Sequence, residues 1–167
     1  MDLIYMHMAD GLISVKIGFI FLIISFIMIA LAIKKINQEH DDHKIPLMGV
    51  MGAFVFAAQM INFTIPGTGS SGHIGGGILL CLILGQYPAF LSLCSVLIIQ
   101  CLFFGDGGLL ALGCNIFNMG VLPCFIAYPL IAKPILKKNL KKMSLIILSM
   151  IICMAERRTR VSPVTDM

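Results

Sequence analysis

The segment "ISVKIGFIFLIISFIMIALAI", residues 13–33, is one of several apolar runs that follow each other along most of this chain. A helix crossing a bilayer needs about 20 predominantly apolar residues, and this run meets that length. Four more follow: "IPLMGVMGAFVFAAQMINF" (45–63), a short stretch from Ile74 to Gln86, "AFLSLCSVLIIQCLFF" (89–104) and "LLALGCNIFNMGVLPCFIAYPLIA" (109–132). Short polar or glycine-rich segments separate them. The pattern predicts an all-α fold, a polytopic transmembrane helix bundle of about five spans in the lipid bilayer.

Composition agrees. Hydrophobic residues make up 59% of the 167 and charged residues 12%, outside the range of a soluble globular domain. The chain has room for one membrane domain, expected over residues 1–155, with 1–5 as an N-terminal extension and 156–167 as a polar basic tail. The amino terminus carries Asp2 and Asp10 where a secretory signal would carry basic residues, so the first span is expected to be retained. All six cysteines lie in apolar stretches without a Cys-x-x-Cys pair, which points to packing.

Charge sets the expected topology. Lys34, Lys35 and Lys44 follow the first run, and Lys133, Lys137, Lys138, Lys141 and Lys142 follow the fifth. Lysine-rich loops stay on the cytosolic side, so the net charge of +4 reads as topology, with no nucleic-acid partner implied. Alternation then places the amino terminus, the loop around His73 and Asp106 together on the outer face of a multi-pass protein of the cell membrane. The third run covers only about 20 Å and must start deep or rest on protein. The last run, "SLIILSMIICMA", is too short to span, and "ERRTRVSPVTDM" is expected at the interface. Gly49, Ala53 and Ala57 form a small-xxx-small stripe that permits close helix contact, internal or with another subunit.

The loop "GTGSSGHIGGG", residues 67–77, has the glycine spacing of a dinucleotide-binding turn. It lacks the preceding strand, and no Asp or Glu occurs between Asp42 and Asp106 to hold a ribose. No Gly-Lys-Ser/Thr closes a phosphate-binding loop, so the chain is expected to be no ATPase and to need no organic cofactor. Energy must come from partners or a gradient. A metalloprotease reading lacks His-Glu-x-x-His, and no Glu lies in any span.

Two of the four histidines, His40 and His43 in "EHDDH", read as part of a solvated charge cluster. His7 and His73 are brought to the outer mouth by topology, and imidazole is the commonest ligand for transition metals. If the chain begins at Met6, "MHMADG" offers a free amine, the His7 amide nitrogen and the His7 ring in chelating succession, and His73 can close a fourth corner. Four nitrogens in a plane suit Ni(II), Cu(II) or low-spin Co(II). Asp10, Gln100, Asn115 and Asn118 are polar groups that can gather beneath such a site, or serve as glue between helices. Asn115 and Asn118 share a helix face by their spacing. Asp106, between glycines, reads as a residue that shapes a turn.

Three segments in order, "MHMADG", "PGTGSSGHIGGG" and "LFFGDGGLLALGCNIFNMG", resemble the substrate-specific membrane subunit of cobalt and nickel importers of the energy-coupling factor class, the CbiM/NikM type. The resemblance covers about residues 6–132. It implies an S component that captures Co(II) or Ni(II) outside and delivers it inward. Its implied partners are a coupling transmembrane subunit, ATP-binding ATPase subunits and a small accessory membrane subunit. The family's ligands fall here on the Met6 amine, the amide and ring of His7, and His73, with Gln100, Asn115 and Asn118 in segments that place polar groups near the site. Two departures stand out: five residues precede Met6, and family members usually continue through at least one further helix. A truncated, transport-inactive form is therefore the alternative expectation.

Overall fold

A computed structural model describes residue 7 and residues 10–39, 44–61, 63–65, 70–72, 75–134 and 155–156. After a single 3-10 turn at Asp10–Leu12, the chain forms α1 (Val15–Glu39), α2 (Lys44–Gln59), the strand pair β1 (Phe63–Ile65) and β2 (Ser70–Gly72), α3 (Gly77–Leu84), α4 (Gln86–Phe103) and α5 (Leu112–Ile116). Helix α5 continues through Phe117–Ala132 with a wider winding. All five apolar runs are thus helical. Among the described residues three helices, including the joined α5 segment, are long and apolar enough to cross a membrane, and α2 is a shorter apolar helix.

Why the bundle assembles follows from which faces each helix hides. In α1 only 17% of the spanning window is buried, whereas α4 has 56%. Phe26 and Ile23 therefore face outward on α1, and Phe90, Leu93, Cys94 and Leu97 of α4 form the centre. Lipid tails are as apolar as these side chains, so close packing and hydrogen bonds, rather than exclusion from water, must hold the helices together. Glycine supplies the close packing where α1 crosses α5. A Cβ at Gly113 would overlap the main chain of Leu22, and Ser25 Oγ donates to the Gly113 carbonyl at 3.0 Å. Aromatic edges lock the other side, with Phe90 and Tyr87 meeting Phe125 at ring-centroid distances of 5.3 and 5.5 Å.

The third run meets its length problem in both expected ways. Gly77 packs against Met119 and Pro123, well past the start of α5, so α3 begins deep in the bundle. Leu80, Cys81 and Leu84 are buried against protein. The five cysteines among the described residues are free thiols, four buried and Cys114 half-buried, as packing residues would be; Cys153 lies outside them.

The winding after Ile116 was not expected. The Lys133 N–H reaches back to the Tyr128 carbonyl, an i→i+5 bond, and Pro123 and Pro129 lie inside the segment. Proline removes a donor and crowds the preceding turn, so a regular i→i+4 ladder cannot be completed through it.

A small antiparallel sheet adds to the helices. Phe63 pairs with Gly72, Thr64 with Ser71 and Ile65 with Ser70, making a hairpin of the segment around the glycine loop. A third strand, β3 (Ala155–Glu156), pairs with the other side of β2, giving the order β1-β2-β3. The carboxyl-terminal segment was expected at the membrane interface, on neither side in particular. Residues 155–156 adjoin the hairpin. The rest of that last apolar run lies outside the described residues.

Candidate metal site

Asp106 is the only Asp, Glu, Lys or Arg between Lys44 and Lys133. It sits in the turn after α4, between Gly105 at φ +62° and Gly107 at φ +97°, conformations that favour glycine. Its N–H donates to the Gln100 carbonyl at 3.1 Å, and Cys101 Sγ reaches the Gly107 carbonyl at 3.8 Å, so the turn folds back on the last turn of its helix. The side chain is thereby carried inward and buried.

There it meets His7. The His7 main-chain N–H donates to Asp106 Oδ1 at 3.1 Å, and His7 Nδ1 lies 2.9 Å from Asp106 Oδ2. His7 itself is 4% exposed, so a residue near the amino terminus is held inside the end of the bundle. Hydrogen bonds to an ionised group contribute about 1.5–3 kcal/mol each, enough to hold His7 against the turn that carries Asp106. With a carboxylate as acceptor, Nδ1 is the ring nitrogen that donates.

Asp10 anchors the same segment a few residues on. Its Oδ1 accepts the Ala111 N–H at 2.9 Å, and its carboxyl group lies where a side chain at Gly108 would need to be. Asp10 is exposed and clamps the amino-terminal segment to the turn at 107–111.

A second polar chain runs beside this pair. Gln100 Nε2 donates to Gln59 Oε1 at 2.9 Å, and Gln59 Nε2 donates to the Gly75 carbonyl at 3.0 Å. Both glutamines are fully buried. Gly76 follows with φ +71°, its Cα so close to Val55 that a Cβ would come within 2.5 Å of Cγ1. Through Gln100 the chain connects the Asp106 turn to the point where the glycine loop enters α3.

The residues singled out in the sequence thus divide. His7, Gln100 and Asn115 are buried at one end of the bundle, and Asp10 supports it. Asn118 is exposed, although its spacing put it on the face of Asn115; the winding widens at Phe117, so the three-residue spacing no longer brings it over residue 115. Met6 and His73 lie outside the described residues, as do His40 and His43. No group of three His, Cys, Asp or Glu side chains gathers among the described residues. Sequence reasoning passed over Gln59 and gave Asp106 only a turn. The signal for both was present: each is a polar side chain isolated in a long apolar stretch, which is costly unless it is paired or functional.

Comparison with known proteins bears on the same region. The family described as the cobalt uptake substrate-specific transmembrane region matches residues 7–155. A cobalt transport protein, CbiM, of Acetohalobium arabaticum is 37% identical over 132 residues, 76% of this chain and 52% of its own. A fused nickel transport protein, NikMN, of Rhodobacter capsulatus is 31% identical over 122 residues, 73% of this chain and 35% of its own. The crystal structure of a transition metal transporter superposes with a TM-score of 0.74 at 36% identity, covering 85% of this chain and 63% of that one. The chain spans about half the length of the curated relatives it matches. With most of its length matched by one family and by one fold, this chain belongs to the cobalt-uptake substrate-specific transmembrane family.

Proposed function

We propose that the chain is the metal-capturing membrane subunit of a Co(II) or Ni(II) importer. The observation that supports this most is the placement of His7, drawn into the end of the bundle by a buried carboxylate with its amide and ring nitrogen turned to one side. In this reading the Met6 amine, the His7 amide and ring, and His73 supply nitrogen donors. Square-planar nitrogen sites suit Ni(II) and low-spin Co(II), and a deprotonated amide disfavours Zn(II), Mg(II) and Ca(II). Gln100 and Gln59 hold the loop entry, while Asn115 lies buried nearby. The amino terminus and the His73 loop face outside, and the lysine-bearing end of the bundle faces the cytosol. Coupling and ATPase partners supply the energy, with no hydrolysis by this chain and no organic cofactor; a small accessory membrane subunit completes the assembly. One membrane domain covers residues 1–155, and 156–167 form a basic tail.

The test is a titration of detergent-purified protein with Ni(II) and Co(II), comparing chains that start at Met1 and at Met6 with His7→Ala and His73→Ala variants of each. Tight binding that both histidine variants lose supports the site. Stronger binding by the Met6 start identifies the amine as a ligand. Equal binding by both starts removes the amine from the ligand set, and no binding by either start sinks the reading.

A further inference from the structure

The two hydrogen bonds between His7 and Asp106 use the same two His7 atoms that the proposed chelate requires. An amide nitrogen binds a metal ion only after losing its proton, and Nδ1 binds through its lone pair. Here the amide N–H donates to Asp106 Oδ1 at 3.1 Å, and Nδ1 lies 2.9 Å from Oδ2. Both nitrogens converge on one carboxylate, from one side, as they would have to converge on one metal ion. The two arrangements cannot coexist at the same atoms. Resting on the chelate reading above, we propose that Asp106 is the placeholder of the empty site: its carboxylate aligns the His7 amide and Nδ1, and gives up both hydrogen bonds when the metal takes those nitrogens.

The exchange balances. Two N–H···O hydrogen bonds break and two nitrogen–metal bonds form. The amide proton leaves to solvent, and the ring proton moves from Nδ1 to Nε2. Asp106 acts through His7 and is a positioning residue. The turn that carries it is built to let the carboxylate withdraw, because Gly105 and Gly107 flank it and neither has a side chain to resist a change of backbone angle. Its burial serves the same end, since a carboxylate inside the bundle needs donors, and the His7 nitrogens are two of them until a cation arrives.

A carboxylate behind a histidine has another common role. It can hold Nδ1–H while Nε2 binds the metal, orienting the ring and raising its basicity. That role makes no use of the main-chain N–H, yet Asp106 accepts it. The paired contact is what favours the placeholder.

The experiment mixes the full chain with nickel(II) chloride alone in a stopped-flow instrument, comparing the unmodified protein with Asp106→Asn and Asp106→Ala. It follows the absorption of planar Ni(II) bound to a deprotonated amide. The placeholder predicts that absorption in the unmodified protein and in both variants. Association should be about tenfold faster with alanine, because the bonds to be broken are gone, and intermediate with asparagine, whose NH2 group cannot accept. Hydrogen exchange at the His7 amide, measured without metal, should quicken in both variants, and asparagine carries the test if the alanine variant does not fold. Affinity lowered about 10–100-fold with no gain in association rate would assign Asp106 to ring support and overturn the proposal. A nickel complex of the unmodified protein without planar absorption would overturn it too. Failure of both the unmodified chain and a chain that starts at Met6 to bind nickel at all would remove the metal-capture reading, and the placeholder with it; where only the Met6 start binds, the comparison of Asp106 variants is made on that start, which separates that failure from the other two.

Discussion

Gln100 on α4 donates from Nε2 to Gln59 Oε1 on α2 at 2.9 Å, and the bond lies wholly inside the bundle. Its position matters more than its strength. Gln100 also accepts the Asp106 N–H at its carbonyl, while Gln59 donates to Gly75 at the entry to α3. One pair of amides therefore joins the turn that carries Asp106 to the loop that carries His73.

Gln59→Leu should uncouple these two parts. It leaves Gln100 Nε2 and the Gly75 carbonyl without the partners they have now, in a region water reaches poorly. Interhelical hydrogen bonds of this kind contribute about 1–2 kcal/mol, so a modest fall in the detergent melting temperature is expected. Metal affinity should fall as well, because the loop entry loses its tie. Unchanged affinity in the folded variant would show that the loop is positioned independently of Gln59.

Gly113 and Gly49 make a contrasting pair for the assembly of the bundle. A Cβ at Gly113 would overlap the main chain of Leu22, whereas one at Gly49 meets nothing within 4 Å. Gly113→Val should force α1 away from α5 and break the Ser25 hydrogen bond, with a loss of about 1–3 kcal/mol or more from overpacking. Gly49→Ala should leave the melting temperature of the isolated chain almost unchanged. Equal effects from both substitutions would mean that the crossing of α1 and α5 is not what limits packing.

Metal affinity should fall as the solution is made acidic. The amide proton must leave before the chelate forms, and a protonated amine or ring must lose a proton too, so binding releases protons and low pH opposes it. About tenfold weaker binding per pH unit is the expected minimum for one proton released. Calorimetry in buffers of different ionisation enthalpy counts the protons directly. A release of zero would argue against the amide as a ligand.

Much of this fold was legible because lipid imposes a simple rule. Each apolar run had to become a helix to satisfy its own backbone, and runs 13–33 and 89–104 are long enough to read without further information. The third run showed its abnormal length, and its burial against α4 and the α5 segment is the structural answer. The wide winding from Phe117 was not legible, since prolines occur in transmembrane helices of many geometries and only neighbouring helices decide which one forms. Nor was the hairpin, because Phe63–Ile65 reads as the end of an apolar run, and Ser70–Gly72 becomes a strand only by pairing with it. In the candidate site, His7 could be singled out by its chemistry. The partner of His7 was not, because the contact joins residues 99 positions apart, and a carboxylate among glycines carries no local sign of what it will face.

Orientation is the remaining expectation that a direct measurement can decide. Gly11 lies beside the Asp10 clamp, exposed, with no atom within 4 Å of where a Cβ would stand, so Gly11→Cys should fold normally. Gln38 is exposed at the opposite end of α1, next to Lys34 and Lys35. Lysines accumulate on the cytosolic side, so that end should be shielded in intact cells. The unmodified chain serves as background, since its described cysteines are buried or half-buried. A membrane-impermeant thiol reagent should label Gly11→Cys in intact cells and Gln38→Cys only after permeabilisation. The reverse pattern would turn the His7 end toward the cytosol, and capture from outside would then be impossible by this route even if the nickel titration succeeded.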